Sequence, residues 1–135
     1  MWSWARRRNR KRSLTIVAPA AAQALEARAL LAGNVVASLN GNHLTILGDT
    51  ADNAIEVSVF NNEVHLRGVN NTTVNGGTGI FVVATASDTI AGNVLISLGA
   101  GNDTVTFNRG VRVDGHVSFL GSTGNDTFNA ANVTF

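Results

Sequence analysis

From Val35 onward the chain alternates short apolar runs with clusters of Gly, Asn and Asp. Leu44-Thr45-Ile46-Leu47, Ile55-Glu56-Val57-Ser58-Val59 and Val64-His65-Leu66 each change character at nearly every residue, which is the period of a half-buried strand. Further runs follow at Ile80–Ala84, Val94–Leu98, Thr104–Phe107, Val111–Val113 and Val117–Leu120. Runs this short, bounded by turn residues, predict an all-β body. No segment after residue 34 carries a helical period. Asn61-Asn62 falls between two runs, and Asn tolerates the positive φ that a two-residue hairpin turn demands.

The runs repeat. Gly92-Asn93-Val94-Leu95-Ile96 and Gly115-His116-Val117-Ser118-Phe119 lie 23 residues apart, as do Gly101-Asn102-Asp103-Thr104-Val105 and Gly124-Asn125-Asp126-Thr127-Phe128. A degenerate third copy is read one period earlier, with residues 75–79 against 98–102 and Val82 against Val105. Leu47–Val57 echoes Leu98–Phe107 with one extra residue, out of phase with the period. A 23-residue unit holds two or three short strands and their turns, the content of one coil of a parallel β-solenoid. Stacking would set Val94 over Val117, Ile96 over Phe119 and Val105 over Phe128. Asn and Thr at equivalent places would then bond turn amides from coil to coil. The expected fold is therefore all-β: hairpin-like strands over 35–68, then a short β-solenoid of parallel β-helix-like coils over 69–135. An antiparallel sandwich of hairpins is the rival, and it suits residues 44–68 better.

The repeated corner carries the candidate chemistry. Leu98–Thr106 (LGAGNDTVT) and Gly121–Asn129 (GSTGNDTFN) resemble the calcium-binding nonapeptide of RTX, hemolysin-type proteins, Gly-Gly-x-Gly-x-Asp-x-apolar-x. The first lacks the leading glycine, and Ser122 replaces the second glycine of the other. The resemblance implies calcium as a cofactor, with Gly99, Gly101, Asn102, Asp103, Gly124, Asn125 and Asp126 as the metal-site residues. RTX sites are shared between tandem nonapeptides, and tandem copies are absent. Stacked corners would instead put Asp103 beside Asp126, about 4.8 Å away. Calcium between the two carboxylates would relieve their repulsion. Hydrogen bonding to turn amides would do the same without a metal.

Charge is unevenly placed. Arg6, Arg7, Arg8, Arg10, Lys11 and Arg12 crowd the first dozen residues, whereas from Asn34 onward three arginines face eight acidic residues, a net charge of −5. The body repels phosphate, so no nucleic-acid partner is expected. The basic head, the apolar Leu14–Ala22 stretch and Ala22-Gln23-Ala24 form an export-signal pattern, too short for a transmembrane segment. A disordered tail or a short helix is the structural alternative for this leader, residues 1–33. Leu25-Glu26-Ala27-Arg28-Ala29-Leu30-Leu31 resembles the LEPR-XLL motif of large planctomycete surface and secreted proteins, with Leu25, Glu26, Arg28, Leu30 and Leu31 matching and Ala27 in place of proline. The resemblance implies export and an extracellular or cell-surface location.

Catalytic chemistry is sparse. The 135-residue chain has no cysteine, which excludes disulfides and thiolate sites. His43, His65 and His116 have no second ligand at metal spacing, and a solvated strand face is expected for each. Arg109, Arg112 and Asp114 are the one cluster that could serve a polysaccharide lyase or hydrolase, and an exposed ion pair is the simpler expectation. The expected function is an exported β-repeat protein with a structural or adhesive role, not an enzyme; a small or fragmentary carbohydrate-active β-helix is the alternative. Asn132-Val133-Thr134-Phe135 reads as mid-strand, so a truncated array is a further expectation. An open C-terminal coil would seek self-association or a neighbouring β-repeat, and a surface polysaccharide is the other partner considered.

Overall fold

A computed structural model describes residues 33–135. The leader, with the sorting-motif residues Leu25, Glu26, Arg28, Leu30 and Leu31, lies outside the described residues. The described chain is all-β, with no helix and with mixed parallel and antiparallel pairing. Its strands are β1 (Asn34–Asn40), β2 (His43–Leu47), β3 (Ala54–Phe60), β4 (Glu63–Gly68), β5 (Thr73–Val74), β6 (Phe81–Ala84), β7 (Thr89–Ile90), β8 (Val94–Ser97), β9 (Thr104–Phe107), β10 (Arg112–Val113), β11 (Val117–Leu120) and β12 (Thr127–Ala130).

Three parallel ladders organise it. β2, β8 and β11 lie side by side, as do β3, β9 and β12, while β7 pairs with β10. Val94 sits against Val117, Ile96 against Phe119 and Val105 against Phe128, as the period predicts. On the other side of β8 and β9, Leu44 pairs with Val94 and Ile55 with Val105. The register is thus constant: 50 residues into the first rung and 23 into the next.

That register corrects two readings. Residues 75–82 are not a rung: Asn75 and Gly76 sit in a turn at positive φ, and Val82 pairs antiparallel with His65. Leu47–Val57 is the true first copy, and it carries no extra residue, because Leu47 pairs with Ser97 and not with Leu98. The 23-residue period fails there because the chain leaves the stack after β3, makes β4, β5 and β6, and rejoins it at β7. The parallel pairing therefore begins inside the segment read as preceding hairpins, at β2.

The same excursion closes one end. β1 and β4 pair antiparallel with β2 and β3, covering edges that would otherwise be free. Asn61 and Asn62 make the β3–β4 turn at φ 52° and 61°, the conformation the Asn-Asn pair predicts. The far edge of β1 is clamped in turn: the Asn75 side chain accepts from the Ala37 N–H and donates to the Ala37 carbonyl.

Apolar residues of the rungs meet inside. Leu44, Ile46, Ile55, Val57, Val94, Ile96, Val105 and Phe107 are each 0–1 % exposed. Each such side chain contributes about 1.5–3 kcal/mol by leaving water. Val35, Val64 and Leu66 extend this core into the antiparallel cap. In the opposite direction burial fades. Val117, Phe119, Phe128 and Val133 pack against the core but are only partly buried.

Candidate functional site

The Gly-Asn-Asp corner lies between the β8 and β9 ladders. Gly101 holds φ +127° and Gly124 φ +130°, where side chains are strained. Space forbids them as well. A Cβ on Gly101 would stand 2.7 Å from the Ala51 carbonyl oxygen, and one on Gly124 would overlap the Gly101 carbonyl. The glycines let each corner settle onto the backbone of the corner before it.

Two ladders of side-chain bonds then cross the rungs. On the inner side, the Asn53 N–H donates to Asp103 Oδ1 (2.8 Å), and the Asp103 N–H donates to Asp126 Oδ1 (3.1 Å). On the outer side the direction reverses. The Asn102 N–H donates to Asp52 Oδ1 (2.8 Å), and the Asn125 N–H donates to Asn102 Oδ1 (2.9 Å). Each Asx therefore satisfies a turn amide of its neighbouring rung, where strand pairing cannot reach. A similar series crosses a second corner: the Asn93 N–H donates to His43 Nδ1, and the His116 N–H donates to Asn93 Oδ1, each at 2.9 Å.

Of the predicted metal-site residues, Gly101, Asn102 and Asp103 are thus brought into register with Gly124, Asn125 and Asp126. Gly99 (φ +89°) serves the same turn, packed against the Asp49 carbonyl. Sequence reasoning missed Asp49, Asp52 and Asn53, which form the third copy of the corner. The echo at Leu47–Val57 was the signal for them.

The electrostatics are split. Asp103 and Asn53 are both 0 % exposed. Burial, reinforced by the charges of Asp126 and Asp52, pushes the Asp103 carboxyl above the ordinary aspartate range, against the bonds that Asn53 donates. Burial acts on Asp49 too, but the N–H groups of Ala51 and Asn34 and the Asn53 side chain donate to it and hold it below that range. The Asn53 amide is fixed in orientation, because Nδ2 faces Asp49 Oδ1 and the carbonyls of Ala51 and Leu98. Two oxygens are left over: Asp103 Oδ2 and Asn53 Oδ1 are buried without a hydrogen-bond partner among the described residues.

The other candidates separate. Among the described residues basic side chains meet carboxylates at His65–Glu63 (2.9 Å) and Arg67–Glu56 (2.8 Å), so Arg109, Arg112 and Asp114 do not make the expected ion pair. His65 is not on a solvated face. It is 9 % exposed, with the Phe60 ring 6.1 Å away and Glu63 2.9 Å from its Nε2. Among the described residues no group of three or more His, Cys, Asp or Glu side chains is placed to share a metal ion. Comparison with protein-family models, curated proteins and solved structures finds no match to this chain.

Proposed function

We propose that residues 34–135 form a short β-solenoid that serves as a structural or adhesive module of an exported, surface-associated protein. The parallel ladders at constant register support the solenoid, and the basic, LEPR-XLL-like leader supports export. The observation that carries the role is the contrast between the two ends of the stack. One is covered by β1 and β4, while the other presents Val117, Phe119 and Phe128 half-buried around a hollow of about 500 Å³. Phe135, 57 % exposed, lies 6.4 Å from the Phe128 ring at the same end. Apolar surface next to free strand edges favours association over catalysis. Light scattering on the full chain is expected to show concentration-dependent association. A strictly monomeric chain with a cooperative melt at every concentration would overturn this role.

Calcium at the corner is a second reading, favoured by the orphaned Asp103 Oδ2 and Asn53 Oδ1. Asp103, Asp126 and Asn53 would supply oxygens to it, and calcium asks for six to eight. The amides that already occupy Oδ1 of both aspartates would compete for the same lone pairs. On this reading millimolar calcium raises the melting temperature of the native chain and leaves Asp103→Asn unmoved. An unmoved melt in both retires calcium.

A further inference from the structure

We propose that the exposed face of β11 and β12 is a template for one kind of partner: a parallel β-coil segment of another polypeptide with the pattern Gly-x8-Gly-x-Asn. This rests on the assembly role proposed above and names the partner that role requires.

The pattern follows from what each rung asks of the next. Gly92 lies so close to the Asn42 carbonyl, and Gly115 to the Gly92 carbonyl, that a Cβ at either would overlap it. Gly101 over Ala51 and Gly124 over Gly101 repeat the constraint nine residues later in each rung. The carbonyls of Gly115 and Gly124 face the incoming rung in the same way. A segment that stacks there therefore needs glycine at two positions nine residues apart.

The ladders add a polar requirement. Among the described residues the Asp126 N–H has no acceptor, and Asn125 Oδ1 and His116 Nδ1 have no donor. One rung earlier the equivalent groups are satisfied: the Asn53 N–H by Asp103 Oδ1, Asp52 Oδ1 by the Asn102 N–H, and His43 Nδ1 by the Asn93 N–H. The incoming segment must supply an Asx oxygen to the Asp126 N–H, two residues after its second glycine. It must also supply turn N–H groups to Asn125 and His116. Aspartate would place a third carboxylate after Asp103 and Asp126, so asparagine is the better residue. The apolar positions between the glycines would cover Val117 and Phe119, and an apolar residue four places after the second glycine would cover Phe128.

A second copy cannot supply this parallel rung head to tail, since the outer edges of its β2 and β3 are already paired with β1 and β4, so association of the full chain would join two β11–β12 ends, which a bound rung would cover. The partner must offer a coil whose own edge is free.

The test uses labelled peptides of residues 92–114, one rung of this chain, titrated into the full protein and read by fluorescence anisotropy. The native peptide is expected to bind saturably. The Gly101→Val and Asp103→Ala peptides are expected to bind about tenfold more weakly or worse, and the Asp103→Asn peptide at least as tightly as the native one. The native peptide is also expected to suppress the association seen by light scattering. Absence of saturable binding, or equal binding by all four peptides, overturns the template. Because the changes lie in the peptide, the fold of the protein is untouched. If the chain associates while all peptides bind equally, the assembly role stands and the template fails. If the chain stays monomeric yet discriminates among the peptides, the template stands and the assembly role of this end fails.

Discussion

Gly101→Val is expected to destabilise the protein by about 3 kcal/mol or more, the largest effect of any single change considered. Two penalties add. A β-branched residue at φ +127° carries backbone strain of roughly 1–3 kcal/mol. Its Cβ must also push the Ala51 carbonyl away from 2.7 Å, and overpacking of that kind costs roughly 1–3 kcal/mol. Gly110→Val is the matched control. Gly110 holds φ +94°, but a Cβ there meets nothing within 4 Å, so only the strain remains. Urea denaturation of the two variants separates the contributions. Equal losses would mean that the corner backbones do not approach as described.

Asp103 gives the second large effect, and its sign depends on the replacement. Asp103→Ala removes the acceptor of the buried Asn53 N–H, and an unsatisfied buried donor costs about 1–3 kcal/mol. Asp103→Asn keeps that oxygen and discards a charge the site disfavours. The first rung already uses asparagine there, as Asn53. The asparagine variant is therefore expected to melt above the native chain at neutral pH, and the alanine variant below the asparagine one by the cost of that lost bond. The pH dependence follows from the raised carboxyl. An acid whose folded value lies above its unfolded value of 3.8 is better tolerated in the fold while protonated. Its penalty is absent below 3.8 and grows as pH rises through the folded value. The melting difference between Asp103→Asn and the native chain should be small in acid and widen toward neutrality. Asp49 acts in the opposite sense. Its lowered carboxyl contributes stability above its unfolded value of 3.8, and that is lost as pH falls through the folded value. Asp49 is common to both proteins, so it cancels from their difference. A difference that stays flat with pH would contradict the burial assigned to Asp103.

Much of this arrangement was legible in the chain because strands paired in parallel at a constant register write their period directly. Val94 with Val117 and Val105 with Phe128 followed from one offset, and Asn61-Asn62 from the φ that a tight turn needs. The first rung was legible only as an out-of-phase echo at Leu47–Val57. The excursion through β4, β5 and β6 displaces it from the 23-residue period, and its corner has Asp49, Ala51 and Asn53 where the next has Gly99, Gly101 and Asp103. Glycine is not needed at residue 51, because no earlier rung lies beneath it. The burial of His65 was hidden for another reason. Alternation marks which residues face each way, but not that Phe60 and Glu63 close over His65 on the outer face. The corner was read as a calcium loop or a capping turn, and composition alone could not separate the two. Both use the same oxygens, and the difference lies in where the neighbouring amides point.

The central claim is that Asn and Asp clamp successive rungs through each other's backbones, in opposite directions on the two sides of the corner. Nuclear Overhauser contacts of four amide protons test it directly. The account predicts that the Asn53 amide contacts the Asp103 β-protons and the Asp103 amide those of Asp126, while the Asn102 amide contacts the β-protons of Asp52 and the Asn125 amide those of Asn102. Contacts confined to each turn's own sequence neighbours would contradict it.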